Sequence, residues 1–183
     1  MKTKLRFLSV LIGSLAYLHL VIMTARGTGE GLSLTTFALW SALAWITSIT
    51  MYKQKVSPVV PAIFATGATA TTAVLLAKGR YGWTGFDTLI AILVFLCVVL
   101  WMTKGPMWAL VLSVVAAVIA AVPFIVMSWQ SPATIPIIAN SGFLITNVLA
   151  FASAKEWTLK DRLYSGANII VCLLLVLPWF LNR

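Results

Sequence analysis

Long apolar runs constrain the fold of this chain more than any other sequence feature. A helix needs about 20 mostly apolar residues to cross the hydrocarbon of a bilayer. Runs of about that length cover residues 5–24, 34–51, 59–77, 88–103, 107–127, 135–153 and 163–181. They are continuous and lack the alternating pattern of barrel strands, and lipid-exposed backbone must satisfy its hydrogen bonds internally. The sequence therefore predicts an all-α integral membrane protein with seven transmembrane helices.

The composition supports a lipid environment. Hydrophobic residues make up 61% of the 183 residues and charged residues only 9%, which is more apolar surface than one soluble core can hide. The first run follows Lys2, Lys4 and Arg6, as the apolar segment of a secretory signal does. The stretch VIMTARG lacks a small-x-small cleavage site, so we interpret this run as the first helix.

The net charge of +9 comes from basic residues spread singly along the ends of the runs. A nucleic-acid partner would need these residues gathered in one patch, so we expect lipid headgroups to be the counter-charge. A cytoplasmic N-terminus would share its side with Lys2, Lys4, Arg6, Lys53, Lys55, Lys104, Lys155, Lys160 and Arg162. The other side would carry Arg26, Lys78, Arg80 and Arg183. The positive-inside rule therefore predicts N-in and C-out.

An internal similarity links two parts of the chain. Residues 16–32 (AYLHLVIMTARGTGEGL) align without a gap to residues 120–136 (AAVPFIVMSWQSPATIP), and two further apolar runs follow each stretch. The second triple of helices begins four helices after the first, so both enter the membrane from the same side as parallel repeats. This interpretation divides the chain into a three-helix bundle (1–80), a linker helix (81–106) and a second three-helix bundle (107–183).

A second interpretation of the repeat stays open. It pairs MYKQKVSPVVP (51–61) with MSWQSPATIP (127–136), and GWTGFD (82–87) with EWTLKD (156–161). In that case the two triples are adjacent and inverted, and the first helix is an addition.

The plan of three, one and three helices, together with the pattern VPFIVMSWQSP followed by AKEWTLKDRLY, resembles the SWEET and PQ-loop superfamily and its bacterial seven-helix members. Phe124 stands where that family has a glutamine after the proline, and His19 with Leu20 replaces the Pro-Gln pair of the first triple. The resemblance implies alternating-access transport of a sugar or vitamin in a bacterial plasma (inner) membrane, with Pro123 as a hinge. It also implies an outside N-terminus, contrary to the charge distribution.

Polar groups inside lipid are costly and usually face the interior of a bundle, which makes them candidate binding residues. The candidates for substrate binding are Asn168, His19, Trp40, Asn140 and Asn147. The amides, two of them seven residues apart on one helix face, offer both donors and an acceptor to a neutral polar solute. The alternative role for each of these residues is packing or hydrogen bonding between helices.

Acidic residues occur only near the ends of the runs, at Glu30, Asp87, Glu156 and Asp161. No carboxylate relay crosses the membrane, so facilitated diffusion is expected, and Asp87 and Asp161 are interpreted as N-caps. The chain has a single histidine and no glycine-rich phosphate loop, so we expect no enzyme activity, no metal and no cofactor. We therefore predict a facilitator for a small neutral polar solute. The alternative is a membrane receptor or assembly subunit that does not transport, and a homo-oligomer is open for either function.

Overall fold

A computed structural model describes residues 2–27, 32–79, 83–132 and 136–181. These residues form seven α-helices and no β-strand, which confirms the predicted fold class at that level. The helices are α1 (Lys2–Arg26), α2 (Leu34–Lys53), α3 (Val59–Ala77), α4 (Gly85–Lys104), α5 (Pro106–Gln130), α6 (Ile137–Ala152) and α7 (Leu159–Leu181). The predicted charges at Glu30, Arg80 and Arg183 lie outside the described residues.

Most helices extend beyond the apolar runs that predicted them. Helix α3 has the predicted bounds, whereas α1 and α7 begin three and four residues earlier because polar residues near a bilayer surface continue a helix as readily as apolar ones. Helix α6 is shorter than its run and begins only after Pro136. A proline disfavours the helical conformation of the residue before it and lacks an N–H, so a helix commonly starts at or just after it.

Local chemistry defines the ends of α4. Thr84 is its N-cap and accepts a hydrogen bond from the Asp87 N–H, while the Asp87 carboxylate accepts from the Thr84 N–H at 2.8 Å. The prediction of Asp87 as the N-cap is therefore wrong, because Asp87 is the third-residue partner in a capping box. Asp161 is likewise inside the first turn of α7 and accepts from the Glu156 N–H. Gly105 separates α4 from α5 with φ of 90°, a conformation that favours glycine.

Length and hydropathy indicate an integral membrane protein. Among the described residues, six helices are long and apolar enough to cross a membrane, and α6 is a shorter apolar helix of 16 residues. Large apolar side chains cover the outer surface, such as Phe95 at 66% and Met102 at 83% exposure. Water would penalise so many exposed apolar groups, whereas acyl chains do not.

Six of the described helices pack in a closed ring. Helix α1 packs against α3 and α6, α3 against α2, α2 against α5, α5 against α7, and α7 against α6. We call this the helix ring, in the order α1, α3, α2, α5, α7, α6. Helix α4 lies outside the ring and packs against α5 and α2.

Contacts at the helix ends show which termini share a side. Lys2 Nζ donates to the Ala154 carbonyl at 3.1 Å, which joins the start of α1 to the end of α6. Gln54 Nε2 donates to the Pro106 carbonyl at 3.2 Å, which joins the end of α2 to the start of α5. We call this side of the molecule the lower end. The nine basic residues predicted to lie on one side belong to helix termini and loops of the lower end.

Two polar links connect helices in the lower half of the ring. Ser9 Oγ of α1 donates to the Thr146 carbonyl of α6 at 2.9 Å. The hydroxyls of Thr47 in α2 and Ser113 in α5 are also 2.9 Å apart. Both links are buried, so each satisfies polar groups that lipid could not, and each fixes the register of an antiparallel helix pair.

Candidate solute cavity

The helix ring encloses a cavity of about 90 Å³. Every helix of the ring contributes to its wall, and α4 does not. Leu32, just before α2, and Pro136, just before α6, also line it, so the cavity extends towards the upper end of the ring. A cavity needs roughly 10–15 Å³ for each water molecule it holds, so this one has space for several waters or one small solute.

Four aromatic rings from four different helices form the lower part of the wall. Tyr17 lies 5.2 Å from Phe64 and 4.5 Å from Phe143, measured between ring centroids. Phe64 in turn lies 5.1 Å from Phe143 and 6.0 Å from Tyr164. Edge-to-face and tilted arrangements at these separations are favourable for aromatic pairs. We call these four residues the lower aromatic cluster.

A second group of rings lines the cavity nearer the upper end. Trp40 lies 5.5 Å from Phe37 on its own helix and 6.1 Å from Phe124 on α5, both edge to face. The Trp40 Nε1–H is buried and has no hydrogen-bond partner among the residues that the structure describes. Buried donors are nearly always paired in folded proteins, so this indole is a conspicuous feature of the wall.

The polar side chains of the wall are few and neutral. Asn140 Nδ2 donates to the Pro136 carbonyl at 3.2 Å, and Asn168 Nδ2 donates to the Tyr164 carbonyl at 2.9 Å. Each amide retains a carbonyl oxygen and a second N–H. No acidic, basic or histidine side chain is among the described residues that line the cavity. The wall can therefore hydrogen-bond a ligand at several points, but it offers no counter-charge to an ion.

The structure brings three of the predicted binding residues together and leaves two elsewhere. Trp40, Asn140 and Asn168 line the cavity. His19 is partly exposed on α1 and is not part of the wall. Asn147 is fully buried, donates to the Phe143 carbonyl of its own helix at 2.8 Å, and also lies off the wall.

Pro123 lies on the outer surface of α5, and α5 continues through it from Pro106 to Gln130. A proline has no N–H to donate to the residue four positions earlier, so the carbonyl of Ile119 lacks its usual helical partner. Wall residues Ala121 and Phe124 lie on either side of Pro123 along the helix. Bending of α5 at this point would therefore change the cavity directly.

Sequence reasoning missed the lower aromatic cluster. Apolar helices contain many aromatic residues, and most of them only pack. A signal was nevertheless available for Tyr164, which precedes Asn168 by four residues and so shares its helix face. Tyr17 gives a similar indication, because a polar phenol group in the interior of an apolar run is costly and is therefore usually functional.

A smaller cavity of about 30 Å³ lies at the lower end. Its wall includes Arg6, Asp161 and Ser165, together with Val60 and Pro61 from the first turn of α3. The lower aromatic cluster lies between the two cavities, since Phe64 is one turn above Pro61 on α3 and Phe143 is two turns above Ala150 on α6. The described residues contain no group of three or more histidine, cysteine or acidic side chains that could hold a metal ion.

Family models, curated proteins and solved structures were each compared with the chain, and none matches it.

Proposed function

We propose that this protein is a membrane facilitator for a small neutral solute, which binds in the central cavity. The observation that carries the proposal is a cavity enclosed jointly by all the helices of the ring and lined by uncharged groups. Ligand sites in helical membrane proteins occupy such positions between helices. The proposal contains no catalytic step and needs no cofactor.

The packing order supports two parallel triples around this cavity, α1–α3 and α5–α7. Within the first triple the order is α1, α3, α2, and within the second it is α5, α7, α6. Between them α1 meets α6 just as α5 meets α2, so a two-fold rotation would leave the set of neighbours unchanged. The inverted alternative would need α5 to pack against α6 as α2 packs against α3, and α5 and α6 are not packed neighbours.

The polar links supply independent support for the parallel repeat. The alignment that pairs Ala16 with Ala120 also pairs Ser9 with Ser113. Each of these serines hydrogen-bonds a threonine residue on a helix of the other triple, Ser9 with Thr146 and Ser113 with Thr47. The aligned serines therefore each hydrogen-bond a threonine residue across one of the two interfaces.

Charge and cavity position together suggest the state of the transporter. The excess of basic residues at the lower end favours a cytoplasmic lower end, and the proposed location is a bacterial plasma membrane. The cavity extends towards the upper end, while the lower aromatic cluster separates it from the lower cavity. This arrangement corresponds to a state open to the outside, and bending of α5 at Pro123 is the proposed route to the opposite state.

Filling the cavity tests the proposal. Ala121 is buried in the wall, and Ala121→Phe would place a ring in the solute space. Val122 is the next residue on the same helix and faces outward, so Val122→Phe is the matched control. We expect purified protein in liposomes to accelerate uptake of at least one labelled neutral solute from a panel of glucose, glycerol and nicotinamide, relative to protein-free liposomes. Ala121→Phe should abolish that uptake and Val122→Phe should preserve it.

Two results would overturn the proposal. One is uptake of the whole panel at the rate of protein-free liposomes, which would favour a receptor or assembly subunit. The other is unchanged uptake in Ala121→Phe, once size-exclusion chromatography has shown that this variant folds.

A further inference from the structure

We propose that the ligand of the central cavity is a neutral aromatic molecule carrying a hydrogen-bond acceptor, which receives the Trp40 Nε1–H. This inference rests on the proposed function for the location of the site, and it goes further by naming the chemical class of the solute. It also differs from the sugar that the family resemblance implies. Three properties of the wall lead to it: an unpaired donor, a lining of aromatic rings and the absence of charge.

The unpaired donor requires an acceptor from the ligand. Leaving a buried N–H without a partner costs about 1–3 kcal/mol, so its partner is expected to arrive with whatever fills the cavity. Trp40 is fixed by its edge-to-face contacts with Phe37 and Phe124, so its N–H does not have to be ordered on binding. By contrast, Trp45 on the same helix has its Nε1–H satisfied by Thr69 at 3.3 Å.

Aromatic rings reach the cavity from every helix of the ring. The helices α1, α3, α6 and α7 each supply one member of the lower aromatic cluster, while α2 supplies Phe37 and Trp40 and α5 supplies Phe124. A ligand inside this wall meets ring edges and faces on most sides. An aromatic ligand gains about 0.5–1.5 kcal/mol for each well-oriented ring pair beyond the effect of buried area, which an aliphatic ligand of the same size does not.

The polar groups of the wall argue against a sugar. A monosaccharide carries several hydroxyl groups, and each would need a partner when buried. Asn140 and Asn168 already donate one N–H apiece to their own helices, and Thr47 is engaged with Ser113. The remaining groups are few for the several hydroxyls of a sugar, and each hydroxyl left unpaired would cost about 1–3 kcal/mol, whereas a ligand with one acceptor suits one indole.

The wall argues equally against a cation. Aromatic rings attract cations, but the attraction is worth only about 2 kcal/mol or somewhat more when desolvated. Removing an ion from water costs several kilocalories per mole unless a counter-charge is present, and the described wall has none.

Binding to the full-length protein in nanodiscs, measured by isothermal titration calorimetry, tests the inference with benzamide as the probe. Cyclohexanecarboxamide has the same number of non-hydrogen atoms and the same acceptor but no aromatic ring. Toluene has the ring but no acceptor. We expect each to bind about five-fold or more weakly than benzamide, since one lacks the ring pairs and the other the hydrogen bond.

Trp40→Phe keeps an aromatic ring and removes only the donor, so it should weaken benzamide binding about five-fold and leave toluene binding unchanged. Trp45→Phe is the control and should change neither, because Trp45 does not line the cavity. Unchanged benzamide binding in Trp40→Phe would overturn the inference and would indicate that water satisfies the indole. Tighter binding of cyclohexanecarboxamide, glucose or benzyltrimethylammonium than of benzamide would overturn it as well.

The outcomes separate this inference from the proposed function. Benzamide binding without accelerated solute uptake in liposomes would contradict the facilitator and leave the ligand class standing. Accelerated uptake of glucose or glycerol without benzamide binding would contradict the ligand class and leave the facilitator standing.

Discussion

The interface between α1 and α6 and the interface between α2 and α5 use the same kind of polar link but different packing. In the first, glycines face the neighbouring helix. A Cβ atom on Gly142 would lie 2.7 Å from the Ala16 Cβ, and one on Gly13 would lie 3.0 Å from the Thr146 side chain. In the second, the corresponding position, four residues before the linked threonine, is Leu43, which is only 1% exposed. At its glycines the first interface has no room for a further side chain, whereas the second interface contains a large one.

This difference explains the position of the seventh helix. Glycine lets two helices approach closely, and van der Waals contact then holds them together in lipid. Leu43 instead packs in a cluster that contains Ile90 and Cys97 of α4 and Ala116 and Ala120 of α5. Helix α4 therefore fills the outer groove between α2 and α5.

Adding a side chain at the glycine interface should have the largest effect. Gly142→Val places a branched side chain against Ala16, whose Cβ cannot rotate away, so the helices must separate. We expect a loss of about 3 kcal/mol in the free energy of unfolding, at the upper end of the range for overpacked cores. Unfolding in mixed micelles titrated with SDS measures it. Leu43→Val at the corresponding position of the other interface is the control, and an equal loss there would show that the two interfaces do not differ in how closely their helices approach.

Removing the large side chain from the other interface should have a smaller effect. Leu43→Ala leaves a cavity between α2, α4 and α5 and should cost about 2 kcal/mol in the same titration. This is the low end of the range for a buried leucine, because the alternative environment in a membrane is lipid and not water. Ile92→Ala on the lipid-facing side of α4 should cost much less. A similar loss in both variants would contradict the packing of α4 in this groove.

The polar links should contribute least to the free energy of unfolding. The two links should contribute similar amounts. A double-mutant cycle of Thr47→Val and Ser113→Ala is expected to give a coupling energy of about 0.6 kcal/mol, the average for side-chain hydrogen bonds inside a membrane protein. Ser9→Ala should lower the free energy of unfolding by a comparable amount, because Ser9 donates to the Thr146 carbonyl across the other interface. A coupling energy near zero would show that the bond between Thr47 and Ser113 does not stabilise the α2–α5 interface. The two interfaces would then not share a stabilising polar link.

Sequence patterns predicted the bounds of a helix well where the apolar run alone determines the residues at which the helix begins and ends. The apolar run 59–77 has the bounds of α3, because Pro58 and Lys78 end the run where they also cap the helix. The prediction was less accurate at α6, where Pro136 inside the apolar run delays the start of the helix. It misassigned Asp87, since composition does not reveal whether Thr84 or Asp87 is the N-cap.

The candidate site was only partly predictable. Asn140 and Asn147 share a helix face by spacing, yet only Asn140 lines the cavity. The two are separated by two turns, so depth along the helix distinguishes them when periodicity does not. His19 was also predicted to bind the solute, and it lies off the wall, whereas Tyr17 and Leu20 of the same helix line the cavity.

The amino-acid sequence by itself determined that this is a chain of seven apolar helices, because length and hydropathy are local properties and lipid selects helices from them. Only the tertiary structure decided the order of helices in the ring, the position of α4 outside it and the residues that face the cavity. The physical reason is that acyl chains and a protein interior are about equally apolar, so hydropathy does not distinguish an inward face from an outward one. Close packing at Gly142 and Leu43, between residues far apart in sequence, makes that distinction.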